Sequence, residues 1–356
     1  MTRATVVVNG RFLTQSITGV QRFAREIVAR LASDGLDVII VAPPGPLRHA
    51  RLGSARVIQV GRFGGHLWEQ LELPRWLVGN GGSLLLSLGN TGPVQYKNQV
   101  VCVHDIAFER VPESYSWKFR ALYRALIPAL LGNARGVLTV SAFSAGEIRD
   151  RYRVSTDIRV VYNAPASQLS AGGWADRTQS DFFLTVGSMN RHKNVVPMAR
   201  RFSRWARDSG NAARLVVVGG VSGAFASQRD QLNELPGVEV LGRVPDEKLA
   251  ALYASARGFI FPSRYEGFGL PPLEAAAAGC AVIASNIPAI EEVLGDAYLA
   301  FDPDTFSGFE SQLEALWDDA TVMLDLSERG AARARHFSWD QSAMTVRQYL
   351  LGLIDA

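Results

Sequence analysis

The sequence predicts an α/β protein with two parallel-sheet domains. Short apolar runs that are typical of buried strands, beginning with Thr5–Val8, alternate with segments whose apolar residues recur at helical spacing. The 356 residues are enough for two domains of ordinary size, each with its own core. Between them, Asn163–Asp181 contains Pro165, Gly172, Gly173 and several small polar residues, which is typical of an interdomain linker.

The predicted first domain covers residues 1–164 and opens as a β-α-β unit. After the strand Thr5–Val8, Gly19 begins an amphipathic helix in which Phe23, Ile27 and Leu31 share one face. The other strands predicted here are Val38–Val41, Leu84–Ser87, Gln99–Val103, Val137–Val140 and Ile158–Tyr162. The other helices predicted here are His66–Leu77, Ser114–Leu131 and Ser141–Arg151.

After the predicted linker, residues 165–180, the second domain covers residues 181–335. Its predicted strands are Phe182–Val186, Leu215–Val218, Gly258–Phe261 and Ala281–Ala284. Its predicted helices include one that ends at Arg207, Asp246–Ala256, one that ends at Gly279 and a largely helical stretch, Phe306–Arg335. Residues 336–356 are predicted to form a last helix, over Asp340–Ile354.

The most informative stretch follows the strand Gly258–Phe261. Gly267 and Gly269 permit a tight turn, and Pro271 and Pro272 suit the first turn of a helix, where a missing N–H group is not needed. Backbone N–H groups at such a helix start attract phosphate. Two carboxylates, Glu266 on the turn and Glu274 in the helix, are suited to binding sugar hydroxyls beside that phosphate.

This stretch, EGFGLPPLEAAAAG with the flanking FIFPS and AVIASN, resembles the paired-glutamate motif of the retaining GT-B glycosyltransferases of family 4. The segments TGVQRFAREIV and VCVHDIAF and the loop Gly187–Asn194 are also similar to that family. The resemblance implies a GT-B architecture, in which two Rossmann-like domains face each other across a cleft. It also implies that the last helix crosses back to the N-terminal, acceptor-binding domain.

The resemblance assigns donor contacts to the second domain. Glu274 matches the glutamate that binds the ribose, and Glu266 matches the one that binds the transferred sugar. The backbone of Gly267, Phe268, Gly269 and Leu270 is implied beside that sugar and the diphosphate.

Other matched positions complete the predicted donor site. Lys193 matches a lysine that contacts the diphosphate, and Val244 lies in a loop that resembles the one at the nucleotide base. His104, at the carboxyl end of a predicted strand, matches a histidine close to the donor sugar. Gly19 matches a loop glycine near the diphosphate, although a plain helix start also explains it. The predicted catalytic residues are therefore Glu266, His104 and Lys193.

One position in this set departs from the family. Other members often have Arg-Lys where this chain has His192-Lys193, so one positive charge would depend on pH. Whether Arg191 or His192 assists the diphosphate is left open by the sequence.

The sequence does not favour a metal site. Asp302-Pro-Asp304 spells DxD, the metal-binding string of another glycosyltransferase class. It is an isolated string with ordinary turn chemistry, and the sugar-nucleotide signals lie elsewhere. We therefore expect no metal and no cofactor, with a nucleotide sugar as the donor substrate.

Charge is distributed unevenly along the chain. Residues 1–164 hold 20 Lys+Arg against 11 Asp+Glu, a formal charge of +9, whereas residues 165–356 hold 17 against 23, a charge of −6. The basic half predicts an anionic surface or an anionic substrate as a partner. No basic run or nucleic-acid motif is present, so nucleic acid is not expected.

A membrane surface fits that charge. The predicted helix Ser114–Leu131 carries Trp117, Lys118, Arg120 and Arg124, which suits either a core-facing helix with a solvated basic face or a peripheral membrane contact beside a lipid-linked acceptor. With no predicted leader or membrane span and only two cysteines, the sequence predicts a cytoplasmic protein, with the inner face of the membrane as a further place of action.

The predicted activity is retaining transfer of a hexose to a saccharide acceptor in surface polysaccharide or glycolipid assembly. The pattern WEQ…LP in His66–Leu77 resembles a sub-branch that handles mannose and related sugars, which favours GDP-mannose over a UDP-sugar. A nucleotide-sugar epimerase or hydrolase of the same fold and a non-catalytic binding module remain alternatives. The missing GxGxxG argues against a dehydrogenase.

Overall fold

The computed structural model describes residues 5–48, 51–154, 156–169, 177–220 and 226–355. The chain divides into two compact units. The first unit comprises residues 1–109, 115–163 and 338–356, and the second comprises residues 110–114 and 164–337.

The first unit contains a seven-stranded parallel sheet with the order β3-β2-β1-β4-β5-β6-β7. Its strands are β1 (Thr5–Asn9), β2 (Asp37–Ala42), β3 (Arg56–Gln59), β4 (Leu84–Ser87), β5 (Gln99–Cys102), β6 (Gly136–Thr139) and β7 (Ile158–Val160). The central strands are buried and consist of apolar runs, as expected for a parallel sheet that is covered on both faces.

Six α-helices of the first unit lie within the described residues. They are α1 (Gly19–Ser33), α2 (Gly65–Gly79), α3 (Ala107–Arg110, whose last residue is assigned to the second unit), α4 (Trp117–Asn133), α5 (Ala142–Tyr152) and α13 (Trp339–Ile354). The last of these, α13, packs against α1, where the Trp339 ring meets the Phe23 ring with centroids 6.1 Å apart. The Ser342 hydroxyl donates to the Tyr162 carbonyl at 2.6 Å, so α13 also contacts the segment after β7.

The second unit has a six-stranded parallel sheet with the order β10-β9-β8-β11-β12-β13. Its strands are β8 (Phe182–Val186), β9 (Arg214–Val218), β10 (Val238–Gly242), β11 (Gly258–Phe261), β12 (Val282–Ser285) and β13 (Leu299–Phe301). Its helices are α6 (Val195–Asp208), α7 (Ala226–Asn233), α8 (Asp246–Ser255), α9 (Leu270–Ala277), α10 (Pro288–Leu294), α11 (Phe309–Asp318) and α12 (Ala320–Ala334). Both strand orders follow the Rossmann pattern, so the predicted α/β class with two Rossmann-like sheets is confirmed.

Some elements differ from the sequence expectation. The edge strands β3, β10 and β13 were not predicted, because they are short and only partly buried. Residues 110–114, predicted within the first domain, belong to the second unit.

The predicted linker, residues 165–180, also lies in the second unit, although 170–176 fall outside the described residues. Arg177, from this segment, is buried there and donates to the backbone carbonyls of Ala254, Ala278 and Gly279.

Within the described ranges, none of the helices is both long enough and apolar enough to cross a bilayer.

Candidate functional site

The candidate site lies at the point where the strand order of the second sheet reverses, between β8 and β11. Strand β9 follows β8 along the chain, but β11 occupies the other side of β8. The segments that leave the carboxyl ends of β8 and β11 therefore meet at the switch point, which is where open α/β sheets bind their ligands. Lys193 lies on the first segment and Glu266 on the second.

These two predicted residues form an ion pair. Lys193 Nζ lies 2.6 Å from Glu266 Oε1, and the side chains are only 20% and 12% exposed. The ammonium group is also 5.9 Å from the centroid of the Phe261 ring, at the end of β11. A cation and a carboxylate thus lie side by side at the switch point, largely shielded from water.

The turn that carries Lys193 is fixed by its neighbours. Arg191–Lys193 forms a single 3₁₀ turn, and Asn194 adopts a left-handed conformation, with φ of 58°, where α6 begins. The Asn194 side-chain amide donates to the Pro303 carbonyl at 2.7 Å, and the His192 backbone N–H donates to the Ser114 hydroxyl at 3.0 Å. Residues 110–114 therefore help to position the lysine turn.

His192 cannot supply the variable positive charge. The side chain is buried, and burial together with the charge of Lys193 lowers its pKa to about 4. The imidazole is therefore neutral near neutral pH. Arg191, on the exposed side of the same turn, is the residue that can add a second positive charge beside Lys193.

The turn after Glu266 depends on glycine. Gly269 has a φ of +100°, and a Cβ there would lie 2.4 Å from Ile290 Cδ1. Helix α9 begins at the next residue, with Pro271 and Pro272 in its first turn. Because the prolines have no N–H, the donors at this helix end are the backbone N–H groups around Gly269 and Leu270.

Glu274 projects from α9 into a different environment. It is 6% exposed, and the buried Tyr253 of α8 donates to its Oε2 at 3.3 Å. Helix α8 begins at Asp246, directly after the turn that carries the half-buried Val244. Glu274 is thus associated with α8, whereas Glu266 is associated with the β8 loop.

A close backbone contact at this sheet edge was missed by the sequence reasoning. Gly219, directly after β9, has a φ of +156°, and a Cβ there would lie 1.7 Å from the Gly187 carbonyl oxygen. The Gly219 N–H donates to the Gly242 carbonyl at 2.9 Å. The Arg243 side chain lies over Gly220, where a Cβ would be 2.9 Å from its Nε. The available signal was a glycine directly after each of the apolar strands β8 and β9.

The predicted residues of the first unit lie at the carboxyl edge of its own sheet. His104 follows β5, is 5% exposed and donates from Nε2 to the Leu88 carbonyl at 3.0 Å. Burial lowers its pKa to about 4, so it is neutral, with Nδ1 left as an acceptor. Its ring packs edge-on against Phe23 of α1, with centroids 4.9 Å apart.

Gly19 is the first residue of that same helix, α1. Thr18 and Gln21 form a capping box around it, and a Cβ at Gly19 would meet no atom within 4 Å. The space beside this glycine is therefore open, and the helix start is capped independently of it.

The two carboxylates of the DxD string have local partners. Asp302 Oδ1 accepts the backbone N–H groups of Asp304 and Thr305 and the Thr305 hydroxyl. Asp304 pairs with Arg264 at 2.9 Å. No group of three or more metal-ligating side chains occurs among the residues that the structure describes.

Family models match both parts of the chain. The model described as "Glycosyltransferase Family 4" matches residues 17–164, and the one described as "Glycosyl transferases group 1" matches residues 173–335.

Among curated proteins, the chain is 32% identical over 279 residues to "O-antigen chain mannosyltransferase B" of Escherichia coli, which covers 73% of this chain and 72% of that one. It is also 32% identical over 222 residues to "O-antigen chain mannosyltransferase RfbU" of Salmonella typhimurium, which covers 61% of this chain and 60% of that protein.

Among solved structures, the sucrose-phosphate synthase of Thermosynechococcus elongatus superposes with a TM-score of 0.80 at 18% identity over 99% of both chains. At that identity the likeness concerns the fold alone. It agrees with the two Rossmann-like sheets and with the predicted GT-B architecture.

Proposed function

Since this chain belongs to glycosyltransferase family 4, we propose that it transfers mannose from GDP-mannose to a saccharide acceptor, with retention of the anomeric configuration. The names of the O-antigen mannosyltransferases that it resembles support mannose as the sugar and surface polysaccharide as the product. Their modest identity leaves the donor and the acceptor as parts of the proposal.

The Lys193–Glu266 pair carries this proposal. A nucleotide sugar presents an anionic diphosphate directly bonded to a sugar with several hydroxyl groups. The pair offers a cation and a carboxylate with only 2.6 Å between their polar atoms, at the ligand-binding edge of the sheet. One ligand can therefore engage both groups, with its diphosphate on Lys193 and its sugar hydroxyls on Glu266.

The reaction asks the protein to stabilise a leaving group. The bond between the anomeric carbon and the diphosphate oxygen breaks, and negative charge grows on that oxygen. Lys193, Arg191 and the N–H groups at the start of α9 stabilise this charge without a metal ion. The acceptor oxygen then bonds to the anomeric carbon on the same face, and its proton passes to the departing phosphate oxygen.

Two further predicted residues bind the nucleotide part of the donor. Glu274, held by α8, binds the ribose hydroxyls, and the turn at Val244 meets the base. His104 and Gly19 of the first unit stay predictions: the family resemblance implies a role for His104 at the donor sugar and for Gly19 at the diphosphate.

A thermal-shift comparison tests the donor. A ligand that binds only the native state stabilises it by about 2.7 kcal/mol when its concentration is one hundred times its dissociation constant. This stabilisation raises the melting temperature. We expect GDP and GDP-mannose to give the largest shifts among GDP-, UDP- and dTDP-sugars. A larger shift with a UDP-sugar would contradict the choice of donor.

Product analysis tests the chemistry. Proton NMR of the product should show the donor's anomeric configuration, and turnover should persist in EDTA. An inverted product, or activity lost in EDTA and restored by manganese, would contradict the mechanism. Donor consumption at full rate without any acceptor would favour the hydrolase alternative.

We further propose a weak membrane contact through α4. Trp117 is 72% exposed and Leu122 44% exposed, whereas the buried residues of the helix, Leu126, Ile127, Leu130 and Leu131, lie in its second half. Lys118 lies beside the Trp117 ring, 5.7 Å from its centroid, so cationic and aromatic groups share this end of the helix. Each cation near an anionic bilayer contributes about 1 kcal/mol, which falls away within a Debye length.

Co-sedimentation with vesicles tests this contact. We expect binding to phosphatidylglycerol vesicles at low salt, weaker binding at high salt, and a severalfold loss in Trp117→Ala. Leu324→Ala, an exposed apolar residue of α12, serves as the control and should bind like the wild type. Equal, negligible binding under all conditions would contradict the proposal.

A further inference from the structure

The first unit contains a second cluster of charged and polar side chains at a switch point. Strand β2 follows β1 along the chain, but β4 lies on the other side of β1, so the segments after β1 and β4 meet at the carboxyl edge. The side chains gathered there, called the β1–β4 cluster below, are Asn9, Arg11, His66, Glu69, Thr91 and Tyr123. None of them belongs to the predicted donor site.

Glu69 is the centre of this cluster. It is fully buried, and its Oε1 accepts from Asn9 Nδ2 at 2.7 Å and from Arg11 Nε at 3.1 Å. Arg11, itself 7% exposed, also donates from Nη2 to the Thr91 hydroxyl. The second carboxylate oxygen, Oε2, lies 3.2 Å from His66 Nδ1.

This arrangement orients the His66 ring. Burial opposes ionisation of Glu69, but the hydrogen bond from His66 and the charge of Arg11 hold the Glu69 pKa below its usual value. An ionised carboxylate can only accept, so Nδ1 carries a proton, and in the neutral tautomer that this selects Nε2 is the acceptor. The His66 side chain is 32% exposed, and among the described residues no group bonds to its Nε2.

An aromatic surface adjoins the imidazole. The Tyr123 ring stands edge-on to His66, with centroids 6.0 Å apart. It ends a stack of three rings on and before α4, in which Tyr115 and Phe119 lie 5.1 Å apart and Phe119 and Tyr123 lie 4.0 Å apart. Aromatic faces beside a few oriented polar groups are typical of sites for small polar molecules.

The charges of the cluster decide the chemical class of the ligand. The single buried cation, Arg11, is neutralised by its contact with Glu69. The group offered to a ligand is thus the Nε2 atom of an imidazole whose Nδ1 is held by the Glu69 carboxylate, not an unpaired cation. This chemistry fits the hydroxyl groups of an uncharged sugar and does not fit a phosphate or a uronic acid.

We propose that the β1–β4 cluster binds the acceptor as a neutral pyranoside, with a sugar hydroxyl donating to His66 Nε2 and the sugar ring against Tyr123. This inference rests on the proposed glycosyl transfer for the acceptor's role. Glu69 and Arg11 act as positioning residues, because they hold His66 without touching the sugar. The stability of the buried pair alone does not account for the cluster, since apolar replacements of buried ion pairs are often equally stable.

Histidine NMR on the full chain tests the site directly. The chain has only five histidines, so long-range ¹H–¹⁵N spectra of histidine-labelled protein are simple, and His66→Gln assigns the His66 signals. We expect methyl α-D-mannopyranoside or methyl N-acetyl-β-D-glucosaminide, with and without excess GDP, to shift the His66 signals at fixed pH. Sodium phosphate at matched ionic strength should leave them in place.

Binding measurements on variants complete the test. We expect His66→Gln and Tyr123→Ala to weaken the responding pyranoside about tenfold, while the melting-temperature shift produced by GDP stays at the wild-type value. His336→Gln, an exposed histidine of the second unit, is the matched control and should bind both ligands normally. Glu69→Gln should shift the tautomer signals of His66, and this spectroscopic change reports positioning even if the variant is less stable.

Several results would overturn the inference. They are a response of His66 to phosphate but not to either pyranoside, no response to any probe, or unchanged pyranoside affinity in His66→Gln. If GDP did not shift the melting temperature of the wild type, the proposed donor would be contradicted instead. The failure of this inference and the failure of the proposed function are therefore distinguishable.

Discussion

Breaking the Lys193–Glu266 pair should separate its structural role from its role in donor binding. The two groups are 2.6 Å apart and mostly shielded, so the pair is unlike a surface ion pair. Lys193→Met leaves Glu266 without its cation. Removing one partner of a fully buried pair costs about 3–5 kcal/mol, and the residual exposure of both groups reduces this to about 1–3 kcal/mol of unfolding free energy.

The effect on activity should be larger than the effect on stability. Removing one charged donor to a developing oxyanion costs about 3–4 kcal/mol in catalysis. We therefore expect Lys193→Met to lower kcat/KM by roughly a hundredfold to a thousandfold, at about 1.4 kcal/mol for each tenfold change. The charge swap Lys193→Glu with Glu266→Lys should recover most of the lost stability but none of the activity, because a carboxylate then faces the diphosphate.

The assay combines urea denaturation with steady-state kinetics on the donor identified by thermal shift. Arg201→Met is the matched control, since Arg201 pairs with Glu310 at 2.8 Å on the exposed side of the same unit. It should cost less than about 1 kcal/mol and leave kcat/KM unchanged. Activity restored by the charge swap, or Lys193→Met with kcat/KM within threefold of the wild type, would refute the reasoning.

Three further predictions concern other parts of the molecule. Glu274→Gln should mainly weaken nucleoside-diphosphate binding and Glu266→Gln should mainly lower kcat; equal losses of affinity in a calorimetric titration would contradict the two roles. Gly269→Ala should lower the free energy of unfolding, measured in urea, by about 2–4 kcal/mol, because the φ of +100° disfavours a side chain and the added Cβ meets α10. The control Gly146→Ala, in open space within α5, should be neutral or stabilising, and a neutral Gly269→Ala would contradict the strained turn. The free energy of unfolding should fall as pH drops from about 6.5 to 4, because the His104 pKa is about 4 in the folded state and near 6.5 when unfolded, so unfolding takes up a proton. His104→Gln should flatten part of this fall, and a pH profile unchanged by this substitution would exclude the effect.

The sequence could predict that Lys193 and Glu266 lie at the same edge of the second sheet, whereas their roles in donor binding stay predictions. Lys193 and Glu266 lie just beyond apolar runs, so recognising the strands and the parallel sheet was enough to bring both to one edge. The sequence could not decide whether Arg191 or His192 carries the second positive charge beside Lys193, because the answer depends on which of the two side chains is buried. The turn that carries both residues is held by a hydrogen bond from the His192 backbone N–H to Ser114, which is distant in the sequence.

The missed features arise from long-range packing. The contact between Gly219 and Gly187 requires the exact register of β8 and β9. Strand β3 reads Arg-Val-Ile-Gln, which is too short and polar to distinguish from a loop, and it forms only because β2 offers a free edge. The β1–β4 cluster was missed for the same reason: Glu69 lies in the WEQ pattern, but its contacts to Arg11 and Asn9 join separate segments.

The return of α13 to the first unit has a consequence for synthesis on the ribosome. Helix α1 can pack against α13, through the contact of Phe23 with Trp339, only after the whole second unit has been translated. At about 5–20 residues per second, the nascent first unit waits roughly ten to thirty seconds for this helix. During that interval α13 does not cover the surface around Phe23 and Tyr162. We therefore expect chaperones that bind apolar segments to bind the nascent chain there.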